Sequence, residues 1–422
     1  MRLHIAACML VLAGCASRPA ADTARTADAP ATTRVELTAA LARADSAIAA
    51  VVAREEIPGA VLVVSHGGRV IHERAFGYAQ LYDYGMKRLE RPRPMTPATV
   101  FDLASVTKVM ATTFAIMMLV DRDQVELDAP VYRYLPEFRG PRLDSITVRH
   151  LLTHSSGLYQ WQPLYYNARN SAETLAFMRT LPVQWGVGEG RHYSDFGFML
   201  LGYIVERVSG KRLDAFLRDE LYAPLGLRST TFLPKVRGLQ NFAATSHGNP
   251  YERKMVYDTA FGYDYDGDPR AWNGWREYTL VGEVNDGNAW YANGGVAGHA
   301  GLFSTARELS TLLQLLLNRG THGGRRYLEA AVIDTFTAKR WFDNGLGWAV
   351  PRNAPAGSFT HGGFTGTYVL GVPEYNLGIV LLTNKQNVGV NAAGYYPNIN
   401  TVQNAVTDAL LQAAAAVRPG RR

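Results

Sequence analysis

Signals for extended backbone lie towards the two ends of this sequence, and helical signals fill the space between them. Near the start, "IPGAVLVVSHGGRVIHERAFGYA" holds two β-branched runs around His66-Gly67-Gly68, the composition of a hairpin. From Gly345 onward, "GLGWAV", "GSFTHGG", "GTYVLGV" and "LGIVLLTN" read as further strands. Between these regions, Ser105 to Leu119, Phe196 to Val208 and Ala306 to Leu317 carry apolar residues at helical spacing. The last of these opens on a Thr305/Glu308 capping box and ends at Gly320. Leu37, Leu41, Ala44, Ile48, Val51 and Val52 space a helix ahead of the first hairpin, and a final helix is expected over Thr401 to Val417. Successive hairpins pair antiparallel. The expected fold is therefore α+β: one antiparallel sheet formed by both chain ends with flanking helices, plus an inserted helical domain over about 101–340. A catalytic pocket would lie in the seam between sheet and insert.

The chain can bury a large core, since 47% of its 422 residues are hydrophobic and 19% charged. Its formal net charge of +6 is scattered. The clearest basic cluster, "KRLERPRP" (Lys87 to Pro94), reads as a loop because of its prolines and mixed charge. Nucleic-acid binding needs a basic face, and none is evident. At the start, Arg2 and a short apolar run are followed by Leu12-Ala13-Gly14-Cys15, which reads as a lipoprotein signal (residues 1–15) with a lipidated Cys15. Cys8 and Cys15 are the only cysteines, so a mature chain starting at Cys15 could form no disulfide. The low-complexity stretch 16–35 reads as a flexible tether, 36–417 as the folded domain and 418–422 as a tail. A membrane-anchored lipoprotein facing the periplasm is the expected setting.

"LASVTKVMATT" (Leu103 to Thr113) places Ser105 and Lys108 at i and i+3, on one helical face. A helix start offers unpaired N–H groups to a developing oxyanion. A serine needs a base to become a nucleophile, and a buried lysine with a lowered pKa can serve. Alone, S-x-x-K is a common coincidence. Two further pieces give it weight: Tyr193-Ser194-Asp195 just before a helix, and His361-Gly362-Gly363 on a late strand.

With these three pieces in order, the sequence resembles the serine hydrolases related to class C β-lactamases, a superfamily that includes low-molecular-mass penicillin-binding proteins and certain esterases. "MTPATVFDLASVTK", "ITVRHLLTHSSGL", "YSDFGFMLLGYIVERVSG", "YAPLGLRSTTF", "GGVAGHAGLFSTA" and "HGGFTGTYVLGVPEYNLGIVLLTN" extend the resemblance over Val35 to Asn384. It implies a β-lactamase/transpeptidase-like fold and no metal or organic cofactor. It makes Ser105 the acylated nucleophile, Lys108 its activating partner and Tyr193 the general base. The backbone N–H groups of Ser105 and Phe364 would form the oxyanion hole. Lys108 and His361 could supply the positive charge that a tyrosine base needs.

Asp195 stands where the family usually has asparagine, and an ionised Asp195 would raise the Tyr193 pKa while holding Lys108 protonated. His361-Gly362-Gly363 replaces a frequent Lys-Thr-Gly, so the permanent cation that holds a substrate carboxylate becomes a histidine. Penicillins and D-alanyl peptides both carry that carboxylate. Asp195, His361, Gly362, Gly363 and His299 are expected to contact substrate.

Other features have plainer readings. His150 and His154 in "HLLTH" have zinc-pair spacing but no acid between them and no third ligand, and they are expected to be structural. "DYDGDPRAW" faintly resembles a calcium loop but has Pro269 and Trp275 where one needs glycine and an acid, and it is expected to be a surface loop. The glycines of "GGVAGHAGLFSTA" imply close backbone packing beside the cleft, with His299 either at its border or a packed, hydrogen-bonded histidine. Trp161, Tyr165 and Tyr166 are aromatic packing or substrate-mouth residues. No G-x-S-x-G occurs. The expected function is a cell-envelope serine hydrolase working through an acyl-enzyme on D-alanyl peptides or related peptidoglycan fragments, with esters next and β-lactams third. The rival from another class is an idle lipoprotein that binds wall fragments.

Overall fold

A computed structural model of the chain describes residues 31–263, 265–338 and 341–416. The expected signal, Cys15 and the 418–422 tail lie outside the described residues, as do Asp264 and the last residue of the expected C-terminal helix.

Six antiparallel strands form the main sheet: β1 (Gly59–His66), β2 (Arg69–Asp83), β3 (Lys87–Pro94), β4 (Phe359–Gly363), β5 (Thr367–Val372) and β6 (Leu377–Thr383). Their order is β4-β5-β6-β1-β2-β3, so the chain ends meet at the β6–β1 pairing, where Leu62 opposes Leu381. Gly67 and Gly68 close the β1–β2 hairpin with φ of 57° and 80°, a turn open mainly to glycine and asparagine.

Side-chain alternation explains why this sheet has two apolar faces. Ala60, Leu62, Val64, Leu370, Ile379 and Leu381 point to one face, under α1 (Ala31–Ala53) and the C-terminal helix Asn400–Ala416. Val61, Val63, Val369, Val380 and Leu382 point to the other and join the core of the inserted domain. The strands β1, β5 and β6 are thus buried on both sides and read as continuous apolar runs, while β2 and β3 are largely exposed or half-buried.

Three local expectations are revised. "KRLERPRP" is the edge strand β3 and not a loop; an edge strand tolerates proline because half its N–H groups face away from the ladder. "GLGWAV" is not a strand, since only Ala349 pairs, by isolated bridges to Asn344 and Thr360. The stretch expected as tether is helical from Ala31. The insert also contains small sheets, one joining Phe101–Asp102, Leu302–Ser304 and Thr231–Phe232. That sheet holds the residues before Ser105 against those after His299.

Candidate active site

Ser105 follows the short strand Phe101–Asp102 and precedes a helix whose first turns, Lys108–Thr113, are π-wound before Phe114–Asp121 continues as α-helix. Ala104 is bent to φ 45°, a conformation costly for a residue with a Cβ. Asp102 holds the bend by accepting the Ala104 N–H at 2.9 Å. The turn after β4 is stapled to the same loop: Thr365 Oγ1 donates to Asp102 O at 2.7 Å and Thr367 Oγ1 to Leu103 O at 2.9 Å. Gly363 permits this approach, since a Cβ there would lie 2.1 Å from Thr367 Oγ1 and 2.4 Å from Leu103 O.

Lys108 is fully buried. Its Nζ donates to Ser105 Oγ at 3.0 Å and to His299 O at 3.1 Å, and lies 2.7 Å from Asp195 Oδ1. Burial disfavours its charge, but Asp195 and Tyr193 outweigh that and raise its pKa above the ordinary lysine value. Lys108 is therefore a standing ammonium and not the deprotonated base that a buried lysine can be; it stands beside Tyr193 as a cation. Burial raises the Tyr193 pKa, Asp195 adds to the rise, and Lys108 and Ser105 oppose it. The resting tyrosine is a phenol beside a cation, with Nζ 4.9 Å from the ring centroid.

Tyr193 and Asp195 are placed by the helix Asp195–Ser209. Ser194 caps it, accepting the Gly197 N–H at 3.2 Å, which puts the Asp195 carboxylate at the positive helix end. His154, read from the sequence as structural, supports Tyr193 from behind. Its ring packs 4.4 Å from the tyrosine ring and its Nδ1 accepts the Ser194 N–H at 3.0 Å. Burial and the nearby cations push the His154 pKa far below its ordinary value. His150 is used elsewhere, in the cap of the helix Val148–Leu152, so the zinc-pair spacing has a structural use.

His361 lies 6.3 Å from the Tyr193 ring but carries no charge for it. Burial, Lys108 and Arg191 push its pKa down to about 3, and its Nδ1 lies 2.8 Å from Gly362 O. The expected cationic help is absent. His299 is packed and hydrogen-bonded beside the site: it is 1% exposed, with its ring turned to Asp286 (Nε2 to Oδ1, 2.8 Å) and its carbonyl reaching Lys108. The glycines around it serve close packing. A Cβ on Gly298 would sit 2.0 Å from Phe198 O, and Thr112 Oγ1 donates to Gly298 O at 2.6 Å.

A cavity of about 250 Å³ opens on Ser105, Tyr193 and Asp195. Its wall adds two acids that sequence reasoning missed, Asp286 and Glu252, the amides Gln160, Asn249 and Asn285, and the aromatics Trp161, Tyr251, Tyr263, Phe364 and Tyr396. Among the described residues, no lysine or arginine lines it. Burial and neighbouring Asp286 raise the Glu252 pKa. Burial also opposes charge on Asp286, but His299, the Ala289 N–H and Lys108 hold it below the usual carboxylate range. Tyr165 and Tyr166 pack with Trp272 behind this wall, and Tyr166 Oη donates to Pro269 O at 2.9 Å; residues 265–271 around Pro269 form a largely exposed loop.

Asp195, Asp286 and His299 bring ligand atoms within 4.8 Å of one another, the one such group among the described residues. The Lys108 ammonium already lies against Asp195 there, and a divalent ion would have to sit beside that cation. The cluster is built around the lysine.

Comparison with known proteins bears on the family and the fold. Residues 44–402 match the family described as Beta-lactamase. A protein of Bacillus subtilis (strain 168) named N-acetylmuramyl-L-alanine amidase is 37% identical over 371 residues, 81% of this chain and 80% of that one. A protein of Escherichia coli (strain K12) provisionally named D-alanyl-D-alanine carboxypeptidase is 32% identical over 370 residues, 81% of this chain and 82% of that one. Among solved structures, a penicillin-binding protein homologue from Caulobacter crescentus superposes with a TM-score of 0.66 at 22% identity, covering 93% of this chain and 99% of that one.

Proposed function

The chain belongs to the beta-lactamase family of serine hydrolases, and we propose that it cleaves an amide bond in peptidoglycan-derived fragments through a covalent Ser105 acyl-enzyme. The observation that carries this reading is the Lys108 ammonium, held between Ser105 Oγ at 3.0 Å and Asp195 Oδ1 at 2.7 Å with Tyr193 alongside. In the reactive form Tyr193 is a phenolate stabilised by Lys108. It takes the Ser105 proton as Oγ attacks the carbonyl, then gives it to the departing amine. The N–H groups of Ser105 and Phe364 receive the oxyanion. Neither donates to a protein acceptor among the described residues, as that role requires. An idle binding protein would have no need for the nucleophile, ammonium and phenol to be held together.

The cavity favours a scissile bond with no free carboxylate beside it. Its wall carries Asp195 and Asp286, no arginine or lysine among the described residues lines it, and His361 is neutral. Amide groups and aromatic rings beside acids suit hydroxyl-bearing groups. That supports a muramyl-type acyl group joined to an amino acid, the bond in the name of the 37%-identical relative. A D-alanyl peptide is the second reading, favoured by the name of the 32%-identical relative. We place the enzyme in the cell envelope, on the strength of the lipoprotein-like Leu12-to-Cys15 sequence and the wall-related names of these relatives. The test is to incubate purified protein with a muramyl-L-alanyl peptide, a D-alanyl-D-alanine peptide and a nitrophenyl ester, beside Ser105→Ala. Ser105-dependent release of the L-alanyl peptide is expected. Turnover that persists in Ser105→Ala would refute the nucleophile, and turnover of only the D-alanyl peptide would refute the preferred substrate.

A further inference from the structure

We propose that Asp286, aimed by His299, is a second catalytic base of this site and takes the proton of the water that hydrolyses the Ser105 acyl-enzyme; this rests on the acyl-enzyme reading above. Asp286 lines the same cavity as Ser105, Tyr193 and Asp195. One carboxylate oxygen is fixed: Oδ1 lies 2.8 Å from His299 Nε2 and accepts the Ala289 N–H at 2.8 Å. The other oxygen, Oδ2, accepts no hydrogen bond from the described residues. His299 is dedicated to this contact, because its Nδ1 is buried without a partner among them. The same histidine gives its carbonyl to Lys108, which ties the Asp286 arm to the ammonium that holds Ser105. A carboxylate steadied by an imidazole and open on its other oxygen has the form of a base with its orienting group.

The state of Tyr193 creates the need. Once the amine has left with the tyrosine proton, the phenolate is a stronger base than ordinary tyrosinate and returns to the phenol near neutral pH. The acyl-enzyme then faces water with a phenol, which donates, while Asp286 is an ionised carboxylate, which accepts. The step balances as follows. Water oxygen bonds to the acyl carbon and one water proton passes to Asp286. The carbon–Oγ bond breaks and Oγ takes the Tyr193 proton. The proton on Asp286 then returns through solvent to the Tyr193 phenolate, and the product acid ionises.

Nitrophenyl acetate tests this without knowledge of the natural substrate. Stopped-flow nitrophenol release and intact-protein mass measure acylation and deacylation separately. For Asp286→Asn the burst is retained, the steady state falls by about 10²-fold or more, and protein heavier by one acetyl group accumulates. Added formate or azide restores turnover in Asp286→Ala. His299→Gln, which keeps the carboxylate but loosens its aim, shows the same accumulation to a smaller degree and carries the test if Asp286→Asn does not fold. A folded Asp286→Asn or His299→Gln that partitions like wild type would overturn the proposal, as would equal loss of burst and steady state. Inactivation by a chelator with recovery on adding zinc would also overturn it, assigning these side chains to a metal. If wild type shows no Ser105-dependent burst, the acyl-enzyme reading falls and this proposal with it.

Discussion

The Lys108 ammonium lies 2.7 Å from Asp195 Oδ1, so the lysine three residues after Ser105 is held as a fixed cation and not as a base. The same carboxylate raises the Tyr193 pKa. A base whose folded pKa lies above its ordinary value is active only as pH rises towards that value. The kcat/KM for an ester should therefore climb from neutral into alkaline pH. Asp195→Asn removes a charge that raises both Lys108 and Tyr193, and a neighbouring charge at such range is worth about 1–3 pKa units. The ascending limb of the pH profile should shift to lower pH by about one unit or more, read against a Ser105→Ala blank. A limb that stays in place would show that Asp195 does not control the base.

Gly363 should tolerate no side chain. Its Cβ would press on Thr367 Oγ1 and Leu103 O, and the second contact is backbone that cannot rotate away. Gly363→Ala should cost about 1–3 kcal/mol, the usual range for overpacking, and reduce turnover because Leu103 leads directly into Ser105. A Cβ on Gly362 would meet only Thr367 O, at 3.9 Å, so Gly362→Ala should be mild, with both variants read by urea titration. Equal effects at the two positions would contradict the assigned geometry.

The fold was legible because its signals are local or periodic. The continuous apolar runs "GAVLVV" and "GIVLLT" specify central strands buried on both faces, and the Gly67-Gly68 turn specifies the hairpin. Lys108, Tyr193 and Asp195 were legible because each sits at a helix start within a short motif. The roles of His299 and His361 were not, because a side chain's direction depends on packing from distant segments. His299 turns to Asp286 only because the glycine loop is pressed onto Phe198 and Thr112. Asp286 and Glu252 reach the cavity through tertiary contacts that no spacing rule encodes. "KRLERPRP" was misread because its edge position, which makes proline harmless, is a property of the assembled sheet.

Two buried histidines should make the protein acid-sensitive before its carboxylates titrate. His361 is held neutral down to about 3, and His154 is also held well below its ordinary value. Below about pH 6.5 the unfolded chain binds protons at these sites that the native protein refuses, so stability is full above that pH and falls as pH drops towards the folded values. Each histidine contributes a slope approaching about 1.4 kcal/mol per pH unit. His361→Gln should flatten the loss of unfolding free energy between pH 6 and 4, by urea titration at each pH. An unchanged slope would mean that His361 protonates in the folded state.

The oxyanion role proposed for Phe364 belongs to its backbone and can be separated from its ring. The side chain is 41% exposed and packs edge-on to Tyr251 at 4.8 Å, so it belongs to the cavity rim. Phe364→Ala keeps the N–H and removes the rim. It should raise KM and leave kcat close to wild type. Phe364→Pro removes the N–H itself, and loss of one oxyanion donor costs about 10²–10³-fold in kcat. Because proline also restrains the backbone, thermal unfolding must accompany the kinetics, and the comparison counts only between variants with similar midpoints. If a folded Phe364→Pro keeps wild-type kcat, the oxyanion is held by Ser105 N–H with some other donor.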